Sequence, residues 1–237
     1  MNNRQWMEIH INTLFQCDPA GRLRCVNEPG PEGTHPPAPR FYMGRTSEGN
    51  SWRFRYDLPA DLVAQLERLC QSEPVTADFQ ALPQNYDAIK TLLATQSPLE
   101  SEYRGPAYWI PEVVTAPPDA VLLDEATIAA AQPHFPWLTN ADPYYAMGPV
   151  AAVIVDGRAV SLCFCSRIPG VATEAGLETM AGYRGKGYAG AAVARWAAAV
   201  RQRGCRPLYS TSWNNHASQQ VAKKLGLICY GEDWSLG

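Results

Sequence analysis

The chain has 237 residues, is 46% hydrophobic and 18% charged, and carries a net charge of −3. Those proportions describe a globular protein with a substantial core and exclude a disordered chain, a fibrous repeat or a small disulfide-stapled scaffold. The longest apolar run, "PVAAVIV", is too short to cross a bilayer, and "MNNRQWMEIHINTLF" lacks a long apolar core behind a basic start, so a cytoplasmic protein with no membrane partner is expected. Seven cysteines without regular spacing fit reduced thiols rather than a disulfide framework.

In chain order, the first strong punctuation is "NEPGPEGTHPPAPR", five prolines between residues 29 and 39, which reads as an irregular surface loop. "RFYMGR" and "SWRFRYDL" follow, two aromatic-rich runs around "TSEGN" that predict a hairpin. "PADLVAQLERLCQSEP" has proline at an expected first helical position and Leu62, Leu66 and Leu69 at helical spacing. "NYDAIKTLLATQ" predicts a shorter helix. Proline returns in "RGPAYWIPEVVTAPPDA", and this segment is taken as a soft boundary dividing residues 1–110 from residues 120–237.

"PVAAVIVDGRAVSLCFCSRI" contains two strands joined by Asp156-Gly157, a pair suited to a tight turn in which both central residues need positive φ. "TEAGLETM" predicts a strand, then "YRGKGYAG" leads into a helix from about Tyr188 to Arg203. Val193, Trp196 and Val200 give that helix its apolar stripe, and Gly204 ends it. "RPLYSTSW" predicts a strand, "HASQQVAKKLG" a helix and "LICYG" a last strand. The alternation predicts a mixed α/β fold with at least some parallel strands.

Charge is unevenly distributed. From Thr179 to Gly231 there is no Asp or Glu, while Arg184, Lys186, Arg195, Arg201, Arg203, Arg206, Lys223 and Lys224 all fall there; the rest of the chain holds all 23 acids. The glycine loop lies in this cationic stretch. A helix amino terminus has unpaired N–H groups, and a glycine-rich entry lets them close around a phosphate. A Walker A loop is absent. "GKGYAG" satisfies G-x-G-x-x-G, but no acid stands about 20 residues on to hold a ribose, which leaves an NADP-binding oxidoreductase as a remote alternative. No zinc-finger spacing or aromatic-rich basic strand is present, so nucleic acid is not an expected partner.

Arg184, Gly187 and Ala189 in "YRGKGYA" form R-x-x-G-x-A, which resembles the pyrophosphate loop of the GNAT acyltransferase superfamily. "EAGLETMAGYRGKGYA" followed by "PLYSTSWNNHASQQVAKKLGL" is similar to that family's fourth strand, third helix, fifth strand and fourth helix. The resemblance implies a GNAT-like fold over residues 120–237, with an additional α/β segment at 1–110, and an N-acetyltransferase using acetyl-coenzyme A as co-substrate and no metal. It implies that Arg184, Gly185, Lys186, Gly187, Tyr188, Ala189 and Gly190 hold the pyrophosphate, that Leu177, Thr179 and Met180 pair with the pantetheine arm, and that Asn215 contacts the cofactor. Asn215 is equally suited to cap the helix that follows. Many relatives place a tyrosine four residues before the glycine of "LG" to protonate the leaving thiolate; here that residue is Ala222, which leaves Tyr209, Tyr230 or water for the role. Ala222 is also the argument for a coenzyme A-binding module without catalysis.

An amine acceptor must lose a proton. Glu174 and Glu178 lie four apart on the predicted strand, on one face with Gly176, and either can act as the base; Glu178 is favoured as nearer the cofactor strand. The acidic balance of the remaining chain points to an amine acceptor of cationic character. Cys163 and Cys165 read as core thiols rather than zinc ligands, His216 as a solvated residue at a helix start, and Tyr103, Tyr108 and Trp109 as core aromatics that can also line an acceptor pocket.

Overall fold

The computed structural model describes residues 1–30, 34–112 and 120–237. Asn2 opens α1 (Asn3–Leu14): its side chain accepts from the Gln5 N–H while the Gln5 side chain accepts from the Asn2 N–H, so two unpaired donors are satisfied reciprocally. Met7, Ile11 and Leu14 then fall on one buried face. β1 (Phe15–Cys17) and β2 (Leu23–Val26) form a small antiparallel pair. The predicted hairpin is β3 (Phe41–Thr46) and β4 (Gly49–Phe54). Both predicted helices form: α2 (Ala60–Ser72), with Pro59 one residue before its first turn, and α3 (Tyr86–Ala94). Leu62, Leu66 and Cys70 of α2 pack with Ile89 and Leu93 of α3 against Phe41, Phe54 and Trp234.

The proline-rich segment read as a boundary is in part a strand, β5 (Glu102–Trp109). Residues 113–119 of that segment, and 31–33 of the earlier proline loop, lie outside the described residues. β6 (Ala120–Leu122) and α4 (Pro143–Met147) precede the predicted hairpin of β7 (Ala151–Val155) and β8 (Arg158–Cys165), where Asp156 and Gly157 both take positive φ, 50° and 74°. β9 (Ala172–Thr179), α5 (Tyr188–Gln202), β10 (Arg206–Ser210), α6 (His216–Lys224) and β11 (Ile228–Leu236) complete the chain as the alternation predicts.

Among the described residues, the strands other than β1 and β2 form one mixed sheet in the order β4-β3-β11-β5-β10-β9-β8-β7-β6. β9 and β10 are its parallel pair. The expected division at 110–120 does not coincide with a division of the sheet, because β5 sits between β10 and β11 and pairs antiparallel with both. Backbone approach is tight there: a Cβ on Gly105 would stand 1.8 Å from the Thr211 carbonyl oxygen. Alternate residues of β10 sort the two layers. Tyr209 belongs to the core under α5, with Val193, Trp196 and Val200; Leu208 belongs to the core under α1, with Met7, Ile11 and Tyr230. Cys163 and Cys165 are buried in the α5 core, as read, and every cysteine is a free thiol. No described helix is long and apolar enough to cross a membrane.

Candidate functional site

The sheet opens between β9 and β10. β9 and β10 pair only through Arg206↔Ala172, Pro207↔Thr173 and Leu208↔Glu174, although β9 continues to Thr179. Its other edge stays paired with β8 throughout, from Cys165↔Ala175 to Ser161↔Thr179. Ala175 to Thr179 therefore present a strand edge with no strand partner among the described residues. Such an edge offers peptide N–H and C=O groups to an extended ligand.

Beyond that edge lies an open groove of about 1100 Å³, bounded by β9, the glycine loop and α6. Of the expected cofactor set, Leu177, Thr179, Met180, the loop from Arg184 to Gly190 and Asn215 line it, with one exception. Lys186 does not line it; its ammonium stands 5.1 Å from the ring centroid of Tyr183, which does. Gly185 and Gly187 take φ of 78° and 88°, and Gly187 is the N-cap of α5. A Cβ at either would meet nothing within 4 Å, so backbone conformation rather than space calls for glycine. The first-turn N–H groups of α5 have no helical carbonyl to bond, and the helix dipole adds positive potential. Arg184 folds back so that Nε donates to the Thr179 carbonyl at 3.2 Å. Of the eight cations in the acid-free stretch, Arg184 and Lys224 line the groove, while Arg201 donates to the Ile110 and Pro111 carbonyls.

Asn215 serves the cap as well as the groove, its Oδ1 accepting from the Ser218 N–H at 3.1 Å. Ala222 is 1% exposed in the α5 core. The Tyr209 hydroxyl instead meets Ser218 Oγ at 2.6 Å, and Ser218 lines the groove. Burial pushes the Tyr209 phenol up to about 12, so it holds its proton at neutral pH. Tyr230, the other phenol considered, lies buried under α1 and bonds His10 rather than the groove. His134 lines the groove with Nδ1 2.8 Å from the Ala159 carbonyl. His216 is exposed at the start of α6.

A second cavity of about 570 Å³ opens where the two halves of the chain meet. Phe15, Tyr42 and Tyr103 wall it from the first half; Arg167, Glu174 and Asp233 wall it from the second. Glu174 is 5% exposed and accepts from the Ser210 hydroxyl. Asp233 is 2% exposed and approaches His10 Nε2 at 3.2 Å. Burial alone would lower the His10 imidazole, but its bond to Asp233 and the nearby charges of Glu174 and Asp233 prevail and hold it above its ordinary value. Burial pushes the Asp233 carboxyl up. Glu178 is exposed and lines the groove rather than this cavity. The two glutamates thus share a face of β9 but serve different spaces, about 13 Å apart along the strand at the usual rise. Tyr103 lines the cavity, whereas Trp109 stacks on Trp6 at 5.5 Å and Tyr108 meets Tyr209 edge-on at 6.3 Å. His10, Arg167 and Asp233 carry no local sequence motif and converge only through the sheet order.

Residues 115–227 match the family model for the acetyltransferase (GNAT) family. No curated protein sequence matches the chain. Among solved structures, a GNAT-family protein from Novosphingobium aromaticivorans aligns at 20% identity with a TM-score of 0.46, covering 58% of this chain and 65% of its own, so the match spans under two thirds of that relative. A GCN5-related N-acetyltransferase-like protein from Streptococcus suis aligns at 15% identity and TM-score 0.46, covering 84% of this chain and 85% of its own. A GNAT-family acetyltransferase from Colwellia psychrerythraea aligns at 13% identity and TM-score 0.47, covering 78% and 76%. Residues 115–227, which include the unpaired edge of β9, the glycine loop and the helix it opens, belong to the acetyltransferase (GNAT) family.

Proposed function

We propose that this protein transfers an acetyl group from acetyl-coenzyme A to a primary amine by direct attack, with both substrates bound at once. The observation that carries the reading is the unpaired edge of β9 from Ala175 to Thr179, which runs from the Glu174 cavity to the glycine-loop groove. Acetyl-coenzyme A supplies the activated acyl group. The loop from Arg184 to Gly190 and the first turn of α5 donate N–H groups to its pyrophosphate, with Arg184 and Lys224 adding charge. The free edge of β9 bonds the pantetheine amides, and one of its N–H groups faces the thioester oxygen, where a preorganised donor contributes about 3 to 4 kcal/mol to the barrier.

The amine enters from the other cavity. With a reference pKa of about 10.4, an ammonium costs roughly 4 to 5 kcal/mol to deprotonate at pH 7. Glu174 takes that proton, held in place by the Ser210 hydroxyl. Glu178, exposed beside the cofactor arm, is a weaker candidate for the base than Glu174. Ala222 has no proton to give the leaving thiolate. The Ser218 hydroxyl, backed by Tyr209 at 2.6 Å, replaces it.

Alanine at 222, with no proton to donate, also favours a second reading, a coenzyme A-binding module without catalysis. Thermal unfolding with saturating acetyl-coenzyme A, NADP and ATP in parallel tests the cofactor, since a ligand at 100 times its dissociation constant stabilises by about 2.7 kcal/mol. A selective rise with acetyl-coenzyme A, followed by thiol release on adding amines, is the expected result. A rise without thiol release from any amine supports the second reading, and a rise only with NADP overturns both.

A further inference from the structure

The cavity at Glu174 contains polar atoms that the fold itself leaves unused. Asp233 is 2% exposed; Oδ2 is engaged by His10, but Oδ1 has no hydrogen-bond partner among the described residues. Glu174 gives one oxygen to Ser210. Arg167 spends Nη1 on Glu28 at 2.9 Å and on the Ser166 carbonyl at 2.8 Å, while its buried Nε has no partner among the described residues. Glu174, Asp233 and Arg167 all line the same cavity. A buried acceptor or donor left unpaired is destabilising, and where its residue lines a cavity a ligand there can complete the bonding. Here both signs are present. A bare alkylamine would satisfy the carboxylates and leave the Arg167 Nε unpaired, and a long cationic chain would have to bring further positive charge beside Arg167.

We infer that the acceptor is a small primary amine bearing a carboxylate, its ammonium held by Asp233 and Glu174 and its carboxylate by Arg167. This rests on the acetyltransferase reading and names the acceptor class for that same site. The cavity, at about 570 Å³, has room for such a molecule. Charge complementarity sets the choice: the guanidinium bonds a planar carboxylate in a geometry that a neutral amide does not match in strength.

The test uses the full-length protein with α-amino acids, each as the free acid and as its amide, and with putrescine as an amine lacking any acid group. Stabilisation by each compound is measured without acetyl-coenzyme A, and KM and kcat with it. At least one free acid is expected to stabilise the protein and to have a KM about tenfold or more below that of its amide. Arg167→Met should erase that preference and Arg167→Lys restore part of it, whereas Glu28→Gln, which removes only the outer ion pair, should retain it. Equal KM for acids and amides, binding by none of the acids, or acetylation of putrescine alone would overturn the inference. No stabilisation by acetyl-coenzyme A would instead overturn the transferase reading, whatever the amines do at the cavity.

Discussion

His10 Nε2 stands 3.2 Å from Asp233 Oδ2, and the two side chains are 0% and 3% exposed, so α1 and β11 are joined by a buried titratable pair at the wall of the cavity. The groups facing His10 are Asp233, Glu174, Tyr230 and, opposing them, Arg167. In the folded protein the imidazole binds its proton more tightly than in the unfolded chain, where the reference is about 6.5. A raised pKa contributes stability that is complete below the unfolded value and is lost as pH rises through the folded one. Asp233, also raised, acts in the same direction. Denaturant unfolding of the protein and of His10→Gln between about pH 5.5 and 8.5 should give a stability gap that narrows with rising pH. A gap that widens would reverse the assignment.

Glu174→Gln should lower kcat by about 10²- to 10⁴-fold, the usual worth of a positioned base, with KM for acetyl-coenzyme A little changed. Glu178→Gln should keep most of the activity because its side chain is exposed beside the groove. Steady-state kinetics on both variants decide between the carboxylates: the opposite ranking would return the role to Glu178.

Tyr209→Phe and Ser218→Ala should each lower kcat by about tenfold while leaving the dissociation constant of acetyl-coenzyme A within about twofold, since the pair is assigned to the leaving thiolate rather than to binding. If the affinity fell and kcat did not, the two hydroxyls would be structural supports of α6.

Gly187→Ala places a side chain on a residue at φ 88° and should cost about 1 kcal/mol while weakening acetyl-coenzyme A by distorting the donors at the start of α5. Gly190→Ala, at another groove-lining residue, is the control for stability alone. Its Cβ would approach Leu225 at 3.5 Å, an ordinary contact, and helix position 190 favours alanine, so stability should hold or rise. Thermal unfolding of both variants reads the stability difference, and isothermal titration of Gly187→Ala against the unaltered protein reads the affinity.

What was legible in the sequence obeys local rules. Asp156-Gly157 announces its turn because few residues accept positive φ, and the stripe of Val193, Trp196 and Val200 announces α5 because one helical face must be dry. The amino-terminal helix had a usable signal, Asn2 three residues before Gln5, that went unread. β5 did not have one. Pro106 lacks an N–H and looks like punctuation, yet its carbonyl accepts from the Thr211 N–H at 3.3 Å within a strand paired on both sides. The glycine loop could be read from a contiguous motif, whereas the cavity at Glu174 draws on residues from Leu14 to Gly237 that only the sheet order brings together.

β11 is synthesised after every other element described, and it supplies both Trp234 to the core under α2 and α3 and the strand that separates β3 from β5. A growing chain on the ribosome therefore cannot close the core under α2 and α3 until β11 has emerged. Until then Phe41, Met43 and Leu66, all buried in the finished protein, lack their closing partner, and the edges of β3 and β5 stand open. A premature stop that spares the whole glycine loop but removes β11 should yield aggregated protein rather than a shortened folded one.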